Sequence, residues 1–127
     1  MTAPKLSRAE LKIMKALWDH GGSSVREILE ALPEERRPAY TTVQTMLYRL
    51  EAKGAVRRTK QIGGAHIFES VVTRRAAQKR LIDEVLDLFG GRAQPLMSHL
   101  IESGKLSLED IEEARKAMQK PTGRKKS

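Results

Sequence analysis

The chain has 127 residues, no cysteine, a formal net charge of +8 and a sequence pI near 10.0. That length argues for one domain, or one small domain with an appendage, and against a wide catalytic cleft between lobes. The missing cysteines exclude a disulfide framework and any thiolate metal site, while the basic balance points to a polyanionic partner, nucleic acid or an anionic membrane surface.

In chain order, Ser7-Arg8-Ala9-Glu10 fits a capping box, in which Ser and Glu side chains each satisfy an orphan backbone N–H. Leu11, Met14, Leu17 and Trp18 follow at helical spacing, and Gly21-Gly22 ends this first helix. Trp18 reads as core rather than function. Ser24-Val25-Arg26-Glu27 repeats the box ahead of a short helix with Val25, Ile28, Leu29 and Leu32 on one face. Pro33 and Pro38 bracket a polar loop, and a third helix starts near Tyr40 with Val43, Met46, Leu47 and Leu50 as its stripe. Gly54 stands where a left-handed C-cap is wanted. Two β-like runs, AVRRTKQI and AHIFESVV, flank Gly63-Gly64, a hairpin signal.

From Thr73 the pattern is helical again, with Ala77, Leu81, Ile82, Val85, Leu86 and Phe89 in register until Gly90-Gly91. Pro95 suits the first turn of a helix carrying Leu96, Met97, Leu100 and Ile101, and Gly104 ends it. Ser107 opens a last helix with Leu108, Ile111, Ala114 and Met118. The fold class expected is mainly α with a small β-hairpin wing: an N-terminal winged helix-turn-helix followed by a C-terminal helical dimerisation region. The expected domains are 1–72 for DNA binding, 73–120 for dimerisation, and 121–127 as a basic disordered tail containing Arg124, Lys125 and Lys126. No run of about 18 apolar residues occurs and the start, MTAPKLSRAELKIM, lacks an apolar signal core, so a cytoplasmic protein without membrane insertion is expected.

The charge is focused. Arg36 to Lys60 holds 7 basic residues against one acid, whereas 76–114 holds 4 basic and 8 acidic. A duplex-binding module needs such a focus, because Lys and Arg neutralise phosphates at one surface. With the third helix's stripe turned inward, Thr41, Thr42, Gln44, Thr45, Tyr48 and Arg49 face out. Threonine is a poor helix former, so three in five positions cost local stability. Short side chains let a helix approach a major groove, where threonine methyls touch thymine and glutamine bonds adenine. Gln44 and Thr45 are expected at base edges, and Thr41, Thr42 and Arg49 mostly at the backbone. The bland alternative is that Thr41 or Thr42 simply caps the helix. Arg57, Arg58 and Lys60 suit a wing on phosphates, against the alternative of edge-strand charges that deter aggregation. His20, His66 and His99 have no ligand spacing, and no nucleophile–base pair or phosphate-binding loop is visible. No catalytic residue, metal or cofactor is expected.

These residues resemble the penicillinase repressor family (the BlaI/MecI/CopY type). The likeness lies in LSRAELKIMKALWDHG, SVREILEAL, YTTVQTMLYRLEAKGAVRR and GAHIFESVV, and continues through LDLFGG and LEDIEEARKAM, from about Leu6 to Met118. It implies a homodimeric repressor of an inverted-repeat DNA operator, with Thr41, Thr42, Gln44, Thr45 and Arg49 facing that operator. It also implies a membrane-bound sensor metalloprotease whose signal leads to cleavage within the dimer region. Two departures matter. The copper-responsive members bind metal through C-terminal cysteines, which this chain lacks. The antibiotic-responsive members are cut at an Asn-Phe bond, where His99-Leu100 stands here.

The apolar pattern alone also favours a dimer. About 45 residues after 75 are marginal as an independent core. Pairing Leu81, Val85, Leu86, Phe89, Leu96, Leu100, Ile111 and Met118 with a second copy buries more than an intrachain core does. Two rival functions stay open on the sequence: a winged-helix protein-interaction module, and a non-specific DNA binder without operator recognition.

Overall fold

The computed structural model describes residues 3–119. The expectation for the tail, 121–127, lies outside the described residues. Those described form α1 (Arg8–His20), α2 (Val25–Ala31), α3 (Tyr40–Ala52), β1 (Val56–Ile62), β2 (Ala65–Ser70), α4 (Arg74–Leu88), α5 (Ala93–Glu102) and α6 (Leu108–Gln119). A single 3-10 turn, Glu34–Arg36, links α2 to α3. No described helix is long and apolar enough to cross a membrane. The fold is mainly helical with one antiparallel hairpin, as the sequence pattern requires. It divides into two compact units, one up to Ile82 and one from Asp83. The expected boundary at 72/73 marks the approach to α4, whose first turns belong to the first unit.

Both S-x-x-E stretches close as capping boxes. Ser7 Oγ accepts from the Glu10 N–H (3.1 Å) and Glu10 Oε1 from the Ser7 N–H (2.8 Å); Ser24 and Glu27 repeat the pattern. Helix α1 packs against α2, α3 and β2. It therefore buries a wider arc than one stripe: Ile13, Met14, Ala16 and Leu17 are buried, while Leu11 and Trp18 sit at its margin. Ile28, Val43, Leu47, Leu50, Val56 and Phe68 complete the centre of the core. Trp18 is half-buried; its indole N–H donates to the Val72 carbonyl (2.9 Å), and the Arg74 guanidinium lies over its ring at 5.6 Å.

Helix α3 ends in the tight reversal that Gly54 allows. Gly54 has φ +80°, the Ala55 N–H donates to Leu50 C=O (2.9 Å), and the Gly54 N–H to Glu51 C=O (3.0 Å). This is a Schellman closure, with Ala55 and Leu50 both fully buried beneath it. The turn feeds directly into the hairpin, whose two central residues, Gly63 and Gly64, both have positive φ. That is a type I′ turn, whose twist matches the strands it joins. Ser23 and Phe68 exchange backbone hydrogen bonds (3.0 and 2.8 Å), so the linker between α1 and α2 holds β2 to the helices.

Glu10 is a buried carboxylate, 6% exposed. Burial raises its pKa, but hydrogen bonds from Lys53 (2.6 Å) and Ser7 outweigh that and hold it below the usual carboxylate range. Lys53 Nζ also donates to the Lys5 carbonyl (3.0 Å), so this pair fastens the end of α3 to the start of α1. A depressed folded-state pKa contributes stability that is present above the unfolded value and lost as pH falls through the folded one. Glu10→Gln is therefore expected to lose about 1–3 kcal/mol at pH 7, with the gap from the native chain closing below about pH 4. Urea melts of both proteins at several pH values check this; a pH-independent gap would show that the charge contributes nothing.

The helices after the hairpin are held differently. Thr73 caps α4 through its hydroxyl, which accepts from the Ala76 N–H (3.1 Å). Gly90 and Gly91, both at positive φ, close the end of that helix, the Gly91 N–H reaching Leu86 C=O (2.8 Å). Ser107 and Asp110 form the third reciprocal cap, both bonds at 3.1 Å. The Phe89 and His99 rings meet at 5.4 Å. No described residue from 83 onward is buried. Leu81 and Val85 are more than a third exposed, and Met118 is 86% exposed. Leu86, Phe89, Leu96, Leu100 and Ile111 are half-buried. Ile82, Leu88, Met97, Ile101 and Leu108 add further exposed apolar surface.

Candidate nucleic-acid interface

Helix α3 presents its polar residues as a graded surface. Its N-cap is Ala39, which makes no side-chain cap, and neither Thr41 nor Thr42 takes that role. The capping alternative is thereby removed. Thr41, Thr42, Thr45, Tyr48 and Arg49 are all exposed, opposite the buried Val43, Leu47 and Leu50. At 100° per residue, Thr41 and Thr45 lie on the outermost line, Tyr48 and Arg49 flank it, and Thr42 turns toward α1. Gln44 is different. It is half-buried and lines a small recess of about 110 Å³ with Tyr40, Tyr48, His66 and Phe68, between α3 and the hairpin.

The hairpin does not present Arg57, Arg58 and Lys60 together. In the register, Arg57 pairs with Glu69, Arg58 with Phe68 and Lys60 with Ile67, with a bulge between Arg58 and Lys60. The extra residue, Thr59, inverts the alternation that plain strand geometry predicts. Arg57 and Lys60 thus share one face with Ile67 and Glu69. Arg58 shares the other with Phe68, toward α3. There its guanidinium lies over the Tyr48 ring at 5.0 Å and the Phe68 ring at 5.5 Å, and its Nε donates to Glu51 (3.0 Å). Arg58 therefore braces the wing against α3.

Internal partners thin the basic patch. Arg37 donates to the Leu32 carbonyl (2.8 Å) and the Glu30 carbonyl (3.0 Å), satisfying the end of α2. Lys53 is held by Glu10, Arg58 by Glu51, and Arg57 by Glu69 at 3.3 Å, the last pair being exposed and weak. Arg36, Arg49 and Lys60 have no ion-pair partner among the described residues. They are the cations left for an external anion.

Sequence reasoning missed Arg26. It is exposed, lies over the Tyr40 ring at 5.5 Å, and borders a groove of about 500 Å³ that Lys60 also lines, between α2 and the hairpin. It extends the cationic surface from the wing to the start of α2. Nothing in the local pattern marks it, because its contacts join separate elements. Tyr40 was legible only as the start of a helix, although it seats that arginine.

The surface so assembled combines an exposed helix face of small polar residues, a flanking hairpin and four cations, Arg26, Arg36, Arg49 and Lys60, without an ion-pair partner among the described residues. Its charge and small polar side chains suit a nucleic-acid duplex, in which a helix can enter the major groove and cations can meet phosphates. Among the described residues there is no cluster of His, Asp or Glu able to hold a metal.

The family described as penicillinase repressor matches residues 6–120. The penicillinase repressor of Bacillus licheniformis is 28% identical over 124 residues, 97% of this chain and 96% of its own. The methicillin resistance regulatory protein MecI of Mammaliicoccus sciuri is 25% identical over 116 residues, 91% of this chain and 94% of its own. Among solved structures, the DNA binding domain of the repressor BlaI shares 32% identity at a TM-score of 0.50, over 58% of this chain and 90% of that one. The monomeric form of Bacillus licheniformis BlaI in complex with the blaP half-operator shares 31% identity at a TM-score of 0.50, over 59% and 90%.

Proposed function

We propose that this chain, which belongs to the penicillinase repressor family, is a DNA-binding transcriptional repressor that occupies an inverted-repeat operator as a homodimer and so excludes polymerase. The observation that carries the reading is the outer line of α3: exposed threonines with no capping duty, beside a braced wing and unpaired cations. A similar protein has been solved on a half-operator, which supports DNA as the partner. In this reading Thr41, Thr42 and Arg49 position the helix on the backbone, Gln44 and Thr45 read base edges, and Tyr48 walls the groove beside them. Arg57 and Lys60 extend the contact to phosphates along the wing.

The dimer reading rests on the last three helices, α4 to α6. From residue 83 onward no described side chain is buried, so these apolar faces lack a core of their own, and a second copy supplies one through Leu81, Val85, Leu86, Phe89, Leu96, Leu100, Ile111 and Met118. A two-fold dimer reading successive turns of DNA is then expected to need operator half-sites about 34 Å apart, or a multiple of it. Relief by a membrane-bound sensor metalloprotease completes the reading. The His99–Leu100 bond lies inside α5, and both carbonyls are tied into its C-terminal closure, Ser103 N–H to His99 C=O (3.0 Å) and Lys105 N–H to Leu100 C=O (2.8 Å). A protease that needs an extended strand must open that helix first.

The test is fluorescence anisotropy with the DNA just upstream of the gene against a scrambled duplex, over a salt series. Preferential binding at two protomers per site is expected. Equal, steeply salt-dependent binding to both duplexes would make this a non-specific binder, and no binding at moderate salt would leave a protein-interaction module. Within the same assay, Gln44→Ala and Thr45→Val are each expected to cost about 1–3 kcal/mol on the operator and little on the scramble. Equal losses on both duplexes would remove these residues from base reading.

A further inference from the structure

A recess of about 230 Å³ opens where α1, the end of α2 and the start of α3 meet. Its floor is apolar: Ile13 and Leu32 are buried and Met46 is half-buried. Its rim carries Lys12 and Arg36 and no acidic residue. Neither cation has an ion-pair partner among the described residues, and both are exposed. Two other recesses differ in this respect, since Glu27, Glu30 and Glu69 line the groove at the wing and Asp19 lines the one beyond Pro33. On its far wall stand Pro38, in the segment leading to α3, and Thr42, in the first turn of α3.

We infer that this recess is a binding site for a small aromatic carboxylate, and that filling it weakens DNA binding. The site suits one ring, since an apolar cavity of about 150 Å³ already accepts benzene. The floor takes the ring, and Lys12 and Arg36 take the carboxylate, the guanidinium offering its paired donors to both oxygens. The effect on DNA follows from charge and place. A bound carboxylate offsets part of the positive potential beside α3, and the ring abuts Thr42 and Pro38, which set how α3 enters a groove. Linkage makes the effect reciprocal, so DNA must weaken the ligand by the same factor.

The coupling rests on the DNA-binding reading; the site does not. Benzoate is the probe and benzyl alcohol its neutral control. Amide shifts of the full-length 15N-labelled protein, followed during titration, report binding without DNA. Saturable shifts centred on Lys12, Ile13, Arg36, Thr42 and Met46 are expected, with benzoate at least about fivefold tighter than benzyl alcohol. Lys12→Gln and Arg36→Gln, both at exposed positions, should each weaken benzoate by about threefold or more and leave the rest of the spectrum in place. Absence of saturation, or equal responses to the two probes, overturns the site. In anisotropy at matched ionic strength, saturating benzoate should weaken operator binding by about threefold or more relative to acetate, a response Arg36→Gln removes. Benzoate that binds the recess and leaves DNA affinity unchanged overturns the coupling. A chain that binds benzoate but no DNA at all refutes the repressor reading and leaves the site intact.

Discussion

Phe68→Ala is expected to lower the stability of the first unit by about 3–5 kcal/mol, the range for truncating a buried aromatic. Phe68 is 1% exposed and the largest of the fully buried side chains. Its backbone pairs with Ser23 on one side while β2 pairs with β1 on the other, so one residue joins the linker, the hairpin and the helical core. Small domains have about 5–15 kcal/mol of stability in all, and a loss of this size removes much of it. The wing loses its seat at the same time, because the ring also underlies Arg58 and lines the recess beside Gln44. Phe68→Leu keeps most of the volume and should cost about half as much or less. Urea melts followed by Trp18, the single tryptophan, report the first unit, since its indole N–H is bonded to Val72. Operator binding measured well below the melting point then separates unfolding from a displaced wing. A loss under about 1 kcal/mol would mean the hairpin is held by its backbone alone.

Much of the fold was legible because it is written locally. Capping serines with glutamate three residues on, paired glycines and 3.6-residue stripes are short-range signals, and each marks an element the structure forms. Most of the outward set on α3 was legible for the same reason: once Val43, Leu47 and Leu50 are inward, helical geometry places Thr41, Thr42, Thr45, Tyr48 and Arg49 outside, but the hairpin that half-buries Gln44 is not visible from α3 alone. Tertiary facts were not legible. The bulge at Thr59 leaves no mark in the composition of β1, yet it decides which arginines share a face. The partners of Arg37, Lys53 and Arg58 come from other elements, so the charge count between Arg36 and Lys60 overstates what is free for DNA. Ile13 escaped the first stripe because α1 is covered on three sides. Arg26 and the recess at Pro38 depend on how α1, α2 and α3 come together, which no window of sequence displays.

Arg58→Gln is expected to weaken operator binding by about three- to tenfold while leaving the salt dependence of binding unchanged. What the guanidinium touches sets the upper limit, and misalignment of the wing passes only part of it on to binding. A cation–π contact is worth about 0.5–1 kcal/mol at an exposed ring such as Tyr48 and more at a desolvated one such as Phe68. The Glu51 pair, with both side chains about a third exposed, adds a few tenths more. The loss of these contacts frees the wing to pivot on α3, so the cost appears as poorer alignment on a specific site. A phosphate contact behaves otherwise: removing one cation from the backbone lowers the salt slope by about one and weakens all duplexes alike. Arg49→Gln and Lys60→Gln should show that second pattern. Arg58→Lys should fail to rescue, because an ammonium has no planar face to stack between Tyr48 and Phe68. Anisotropy across a salt series, on operator and scramble, reads all four variants in one experiment. A slope reduced by about one for Arg58→Gln would return this residue to the phosphates, where the strand pattern alone places it. An unchanged slope with a larger loss on the operator than on the scramble would establish that part of the sequence preference is set by the angle between the wing and α3.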